Sequence, residues 1–184
     1  MQPATSIGDE EPVTDDHVIL VDESDRPVGV ERKLPAHENG GKLHRAFSVF
    51  IFNSAGRMLI QRRADAKYHF GGLWTNACCS HPRQGRTLID SARTRLREEF
   101  GFDVPLEEQF SFVYRAEDPA SGLTEHEFDH VLVGKFDGTP RPNPDEIGDW
   151  RWAEPRELME DVERHPERYT PWFKLVLHKV LERS

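Results

Sequence analysis

Thr87-Leu88-Ile89-Asp90-Ser91-Ala92-Arg93-Thr94-Arg95-Leu96-Arg97-Glu98-Glu99-Phe100-Gly101 is the stretch from which the architecture unfolds. Ile89, Ala92, Leu96 and Phe100 recur at helical spacing, so one face is apolar and the remainder is charged. Thr87 stands where an N-cap is needed, with Asp90 three residues on, a variant of the capping box. Gly101 closes the helix because it accepts the left-handed conformation of a C-cap. Arg95 and Glu99, four residues apart, share a face.

Strand signals surround this helix. Upstream, Leu73 to Cys79 reads as extended and partly buried. Phe47 to Phe52 and Met58 to Arg62 read as two strands around Asn53-Ser54-Ala55-Gly56, a hairpin signal. His17 to Asp22 reads as a buried strand, Asp25-Arg26-Pro27 as a turn, and Val28 to Glu31 as the returning strand. Lys33 to His44, with Pro35 and Asn39-Gly40-Gly41, reads as loop. Downstream, Phe110 to Ala116 and Glu125 to Phe136 are strands around Asp118-Pro119-Ala120-Ser121-Gly122, Trp150 to Trp152 is a short strand, and Glu157 to Glu163 is a helix. In the last helix Thr170 is the cap and Pro171 sits in the first turn. Trp172, Phe173, Val176, Leu177, Val180 and Leu181 form its apolar stripe. Hairpins with interspersed helices indicate an α+β fold with a mixed sheet. Residues 1–16 are polar and acidic, with Pro3 and Pro12, and are expected to be a disordered tail. That leaves 17–184 as one domain, long enough for a core of its own.

Composition bounds the function. Asp and Glu number 33 against 24 Lys and Arg, which argues against nucleic-acid binding because that needs a basic face. An anionic small molecule is still compatible, since a pocket can be locally positive. No apolar run is long enough for a membrane-spanning helix, and the N-terminus lacks the basic start and apolar stretch of a signal peptide. Cys78 and Cys79 are adjacent and cannot form an ordinary disulfide framework, so a reducing cytoplasm is the expected location.

Chemistry concentrates in two short segments. Cys79-x-His81 offers a thiol two residues from an imidazole, and Glu125-His126-Glu127 offers two carboxylates on alternate positions. In extended chain, residues i and i+2 point the same way, so each pair can aim both members into one pocket. Cys78 faces the other way and reads as a small buried apolar residue. The apolar run Phe128, Val131, Leu132, Val133 carries the Glu125 strand into the core, where a carboxylate is costly unless paired or metal-bound. His37 and His44 bracket a Gly-rich loop that can bring both to one ion. Three imidazoles and two carboxylates suit six-coordinate Zn²⁺, Mn²⁺ or Mg²⁺. His17, His126, His130, His165 and His178 are read as ordinary surface or core residues.

The helix carries the tail of the Nudix signature, G-x5-E-x7-R-E-U-x-E-E-x-G-U, where U is a bulky aliphatic. Leu96, Glu98, Glu99 and Gly101 match, whereas Ser80, Arg86, Thr94 and Arg95 stand at the signature's first Gly, first Glu, Arg and following Glu. A cationic Arg95 cannot hold the divalent cation that hydrolytic members place there. In order along the chain come Ala36-His37, Leu43-His44-Arg45-Ala46-Phe47-Ser48, Gln61-Arg62-Arg63-Ala64, Trp74-Thr75-Asn76-x-x-Cys79-x-His81-Pro82, Tyr114-Arg115-Ala116, Glu125-x-Glu127 and Pro171-Trp172. On these motifs the chain, from about His17 to its last helix, resembles the type I isopentenyl diphosphate isomerases.

The resemblance implies a Nudix-type α/β/α sandwich and an enzyme that interconverts isopentenyl and dimethylallyl diphosphate by protonation and deprotonation through a tertiary carbocation. It implies one divalent metal on His37, His44, His81, Glu125 and Glu127, and a Mg²⁺ on Glu99 that bridges the substrate diphosphate. It implies Cys79 and Glu127 as the acid/base pair, assisted by Tyr114, with their order left open. Lys33, Arg63, Lys67 and Arg95 would bind the diphosphate and Trp172 would cover the hydrocarbon end. A monomer is expected, with a homodimer as the alternative. The sequence departs from the family at Ser80, in place of Gly, and at Arg86 and Thr94, where both ends of a structural salt bridge are replaced together. Tyr68-His69-Phe70 replaces a segment with Pro before Gly and puts a histidine near the pocket that complicates the assignment of ligands. The competing readings are a Nudix hydrolase of a nucleoside diphosphate derivative and a non-catalytic metal-binding module.

Overall fold

β3 (His44–Phe52) is the axis of the molecule, because its residues are buried on both faces almost without interruption. A strand of that kind must be covered on both sides. In the computed structural model, which describes residues 14–184, β3 pairs in parallel with β8 (Thr124–Lys135), from His44 opposite Glu127 to Phe52 opposite Lys135. On its other edge it meets β6 (Cys78–Ser80) antiparallel, and it touches β1 (His17–Val21) and β4 (Met58–Arg63) near its ends. β1 pairs with β2 (Pro27–Arg32), β4 with β5 (Trp74–Thr75) and β9 (Ile147–Ala153), and β8 with β7 (Glu107–Glu117). All nine strands among the described residues lie in one sheet, mixed by the β3–β8 pair.

Strand alternation sorts the core into two layers. Phe47, Val49, Ile51, Leu59, Cys78 and Leu132 pack under α2 (Leu88–Phe100), through Ala92, Leu96 and Phe100. Phe50, Phe52, Met58, Ile60 and Val131 pack under α3 (Pro155–Arg164) and α4 (Pro171–Arg183), through Leu158, Trp172, Phe173 and Val176. Helices therefore cover both faces, and the α/β/α sandwich is present.

Local details differ from the sequence reading where a second demand intervenes. Lys33–His37 is not loop but a short helix, α1, because Pro35 falls in its first turn, where no N–H partner is required. Asp90 N donates to Thr87 Oγ1 (3.1 Å), as the cap requires, but the Asp90 carboxylate accepts from the Thr87 hydroxyl (2.8 Å) rather than from backbone. Thr170 occupies the N-cap of α4 without a capping bond, because its hydroxyl donates to Thr75 Oγ1 (2.8 Å) and ties the helix to β5. Of the expected tail, residues 1–13 lie outside the described residues. Residues 14–16 form a turn into β1, fixed by His17 N to Thr14 O (3.1 Å) and Lys33 N to Asp16 O (2.8 Å). Among the described residues no helix is long and apolar enough to cross a membrane.

Candidate active site and metal centre

Cross-strand register assembles the site. His44 on β3 stands opposite Glu127 on β8, Glu127 stands opposite Tyr114 on β7, and Ser48 on β3 stands opposite Cys79 on β6. Alternation along β8 puts Glu125, Glu127 and Asp129 on one face, the face covered by α4. The same alternation sends Cys79 to this face and Cys78 to the α2 side.

A cavity of about 430 Å³ opens here. Cys79, His81, Tyr114, Glu125, Glu127 and Trp172 line it together with Lys33, Arg63, Lys67 and Arg95, and Arg63 lies over the Trp172 ring at 5.6 Å. His37 and His44 are fully buried behind the wall. Glu99 is buried and is not on the wall. Its oxygens are taken by Arg95 Nη2 (2.6 Å) and Gln61 Nε2 (3.2 Å), so a cation there requires Arg95 to release it. Between Lys67 and Arg95 lies Glu146, which the sequence reading passed over. It pairs with Lys67 and approaches Arg95 Nη2 at 3.6 Å.

His37, His44, His81, Glu125 and Glu127 each present one donor atom, and these atoms lie within 4.8 Å of one another. An ion with bonds of about 2.1 Å spans such a group after small adjustments. Two of the imidazoles are already oriented for it. His37 Nδ1 donates to Lys33 O (2.6 Å) and His44 Nδ1 to Lys42 O (2.8 Å), which turns both Nε2 atoms inward. His44 Nε2 and His81 Nε2 are 3.1 Å apart, an approach that a shared ion explains better than two dry imidazoles do. The residues therefore fit a divalent cation.

Burial and neighbours set the protonation states. Burial pulls the His37 imidazole down, but the hydrogen bond and charge of Glu125 (2.9 Å) outweigh it and hold it up at about 9. Burial pushes the His81 imidazole down to about 4, so it is neutral at pH 7. Burial alone would raise both glutamates; His37 and His69 hold Glu125 well below the carboxylate range, and His44 and His81 hold Glu127 below it. Burial pushes the Cys79 thiol up to about 12, with the neighbouring Asp129 adding to the effect, so it is S–H at pH 7. Cys79 Sγ donates to Asn76 Oδ1 (3.2 Å) and lies 3.5 Å from Ser48 Oγ. Asn76 cannot flip, because Nδ2 donates to Val49 O and Cys78 O, each at 3.0 Å. Tyr114, also raised well above the phenol range by burial, donates to Glu127 Oε2 (2.6 Å).

The sequence reading missed several of these partners. Asp129 continues the Glu125–Glu127 alternation, is buried, and accepts from Ser48 Oγ (2.6 Å). The alternation was the available signal. Arg83 reaches the cavity and pairs with Glu98 (2.9 Å), and His17, read as ordinary, also lines the wall. Arg86 Nη1 approaches Thr94 Oγ1 at 3.5 Å, so the replaced pair still meets, without charge on one side.

The chain matches the NUDIX domain over residues 42–173. It is 53% identical over 167 residues to isopentenyl-diphosphate Delta-isomerase 2 of Aromatoleum aromaticum, covering 91% of this chain and 87% of that protein. It is 49% identical over 165 residues to isopentenyl-diphosphate Delta-isomerase of Halorhodospira halophila, covering 89% of this chain and 94% of that protein. This chain belongs to the isopentenyl-diphosphate Delta-isomerase family, within the NUDIX domain proteins. Among solved structures, DR0079 from Deinococcus radiodurans superposes with a TM-score of 0.72 at 22% identity, covering 89% of this chain and 98% of that one. The MutT protein from Methanosarcina mazei Go1 follows with 0.63 at 13% identity, covering 77% and 94%. At such identities these two establish the isomerase family member's fold and nothing more.

Proposed function

We propose that this chain interconverts isopentenyl and dimethylallyl diphosphate, and that Cys79 and Glu127 move the protons. The observation that carries the assignment is geometric: Cys79 and Glu127 line one cavity, with Cys79 Sγ held by Asn76 Oδ1 (3.2 Å) and Glu127 Oε2 held by the Tyr114 hydroxyl (2.6 Å). An unactivated alkene is a poor base, so the acid must be positioned and dry. In the forward direction the Cys79 proton passes to the terminal carbon and leaves a tertiary cation. Glu127 then takes a proton from the adjacent methylene, and the new double bond forms. Return of one proton from Glu127 to Cys79, directly or by way of solvent, restores the resting state. Tyr114 steadies Glu127 by donating to the oxygen that faces it. Trp172, whose Nε1 is buried without a partner among the described residues, offers its ring face to the cation.

His37, His44, His81, Glu125 and Glu127 would hold one divalent cation, with Zn²⁺, Mn²⁺ and Mg²⁺ all compatible with the donors. Such an ion would supply fixed positive charge that favours the ionised Glu127 carboxylate. Lys33, Arg63, Lys67 and Arg95 would neutralise the diphosphate, with Mg²⁺ joining through Glu99, and Arg can do so with two parallel hydrogen bonds. Burial, with Arg95 beside it, holds Lys33 below the usual lysine range, in keeping with a cationic pocket that awaits an anion. We place the enzyme in a reducing cytoplasm, where Cys79 stays a free thiol. The hydrolase reading lacks its metal ligand at Arg95, and Glu98 is already bridged by Arg83 and Arg95.

The test is substitution. Cys79→Ala and Glu127→Gln are each expected to lower kcat by at least about 100-fold while circular dichroism of the fold is unchanged. Near-normal turnover by Cys79→Ala would remove the assignment.

A further inference from the structure

Tyr68-His69-Phe70-Gly71-Gly72 is a segment beside the cavity whose backbone is under tension. Phe70 has φ +49°, a left-handed conformation that a bulky residue adopts only when its surroundings impose it. They do so here. Phe70 N donates to Asp118 Oδ2 (3.1 Å), Arg63 Nη2 donates to His69 O (3.2 Å), and the Phe70 ring meets Trp172 edge-on at 5.4 Å. Gly71 leaves no slack, since a Cβ there would lie 2.9 Å from Asp65 O.

This turn aims His69 inward. It is 7% exposed, and its Nε2 donates to Glu125 Oε1. The other carboxylate oxygen, Oε2, lies 2.9 Å from His37 Nε2, inside the group of five donors, of which His69 is not a member. We propose that His69 is a positioning residue for the metal centre: by occupying Oε1 it leaves Oε2 as the single atom that Glu125 offers an ion. The inference rests on the reading of the His/Glu group as a metal centre. Without His69 the carboxylate is free to turn or to chelate with both oxygens, which adds a ligand and loosens the site.

The experiment uses metal-free protein titrated with Co²⁺ and Zn²⁺, with Kd measured by competition against a chromogenic chelator and the visible Co²⁺ bands recorded. The unsubstituted chain is expected to bind one ion at this site, and Glu125→Ala to lose it; no binding by the unsubstituted chain would end the metal reading itself. His69→Ala is expected to raise Kd by about 10- to 100-fold and to weaken the Co²⁺ bands as coordination number rises. His69→Gln, whose amide N–H can still reach Glu125, is expected to recover much of both. Should His69→Ala fail to fold, His69→Gln carries the test alone, with Kd and spectrum close to those of the unsubstituted chain as the supporting result. Tight binding and an unaltered spectrum in His69→Ala would overturn the inference and leave the metal centre standing. Co²⁺ bands in His69→Gln that report the loss of a nitrogen donor would overturn it as well, by making His69 a ligand.

Discussion

As a proposed metal ligand, His37 would couple the ion, the proton and the fold. Its imidazole is held at about 9, above its ordinary 6.5, by Glu125. In metal-free protein its contribution to stability is fully present below pH 6.5 and is lost as pH rises through 9. An ion needs the lone pair that this proton occupies, so the metal meets less competition as pH rises. Apparent Zn²⁺ affinity is therefore expected to climb through pH 6 to 9, and calorimetry in buffers of differing ionisation enthalpy should detect about one proton released per ion. A pH-independent affinity with no proton release would contradict this. The residues that meet here were legible in part. Period-2 spacing in Cys79-x-His81 and Glu125-x-Glu127 is a property of extended backbone, so local sequence carries it. The contacts of His69 with Glu125 and of Ser48 with Asp129 depend on which segments lie side by side, and no local pattern encodes that.

At the scale of elements, the site depends on β8 staying straight between β3 and β7. Gly134 secures its far end, where a Cβ would lie 2.8 Å from both Pro105 O and Leu106 Cδ2. One of those atoms is backbone and cannot yield. Gly134→Ala is expected to destabilise the fold by about 1–3 kcal/mol, seen as a lower Tm, with kcat per folded molecule unchanged. A loss of kcat without a loss of Tm would mean that β8 transmits more than position. Most strands and helices were readable because their signals are local: alternation, turn residues and the Thr87 and Gly101 caps. α1 was not, because Pro35 suits a first helical turn as well as it suits a loop. The hairpin between β3 and β4 was readable, but not that the strands meet only through Phe52 and Met58 before each takes other partners. Their most distant partners, β8 for β3 and β9 for β4, arrive 83 to 95 residues downstream.

The whole molecule is acidic, with net charge −9, yet Lys33, Arg63, Lys67, Arg83 and Arg95 converge on the cavity wall. Asp15, Asp16, Glu125, Glu127 and Glu146 share that wall, so the cations act on an anion at short range rather than through a net positive field, and salt screens them. Raising salt from about 0.05 to about 0.5 M is expected to increase KM several-fold while kcat changes little, since the proposed acid and base, Cys79 and Glu127, act at short range inside the cavity and salt screens them less. A salt effect on kcat alone would place the positive charge in the chemistry rather than in capture. A proton added at one carbon and removed from another leaves its mark in heavy water. Protein loaded with Zn²⁺ and Mg²⁺ would be incubated with isopentenyl diphosphate and followed by NMR. Dimethylallyl diphosphate carrying solvent deuterium in a methyl group is the predicted result, and unchanged substrate over a folded, metal-loaded sample would contradict it.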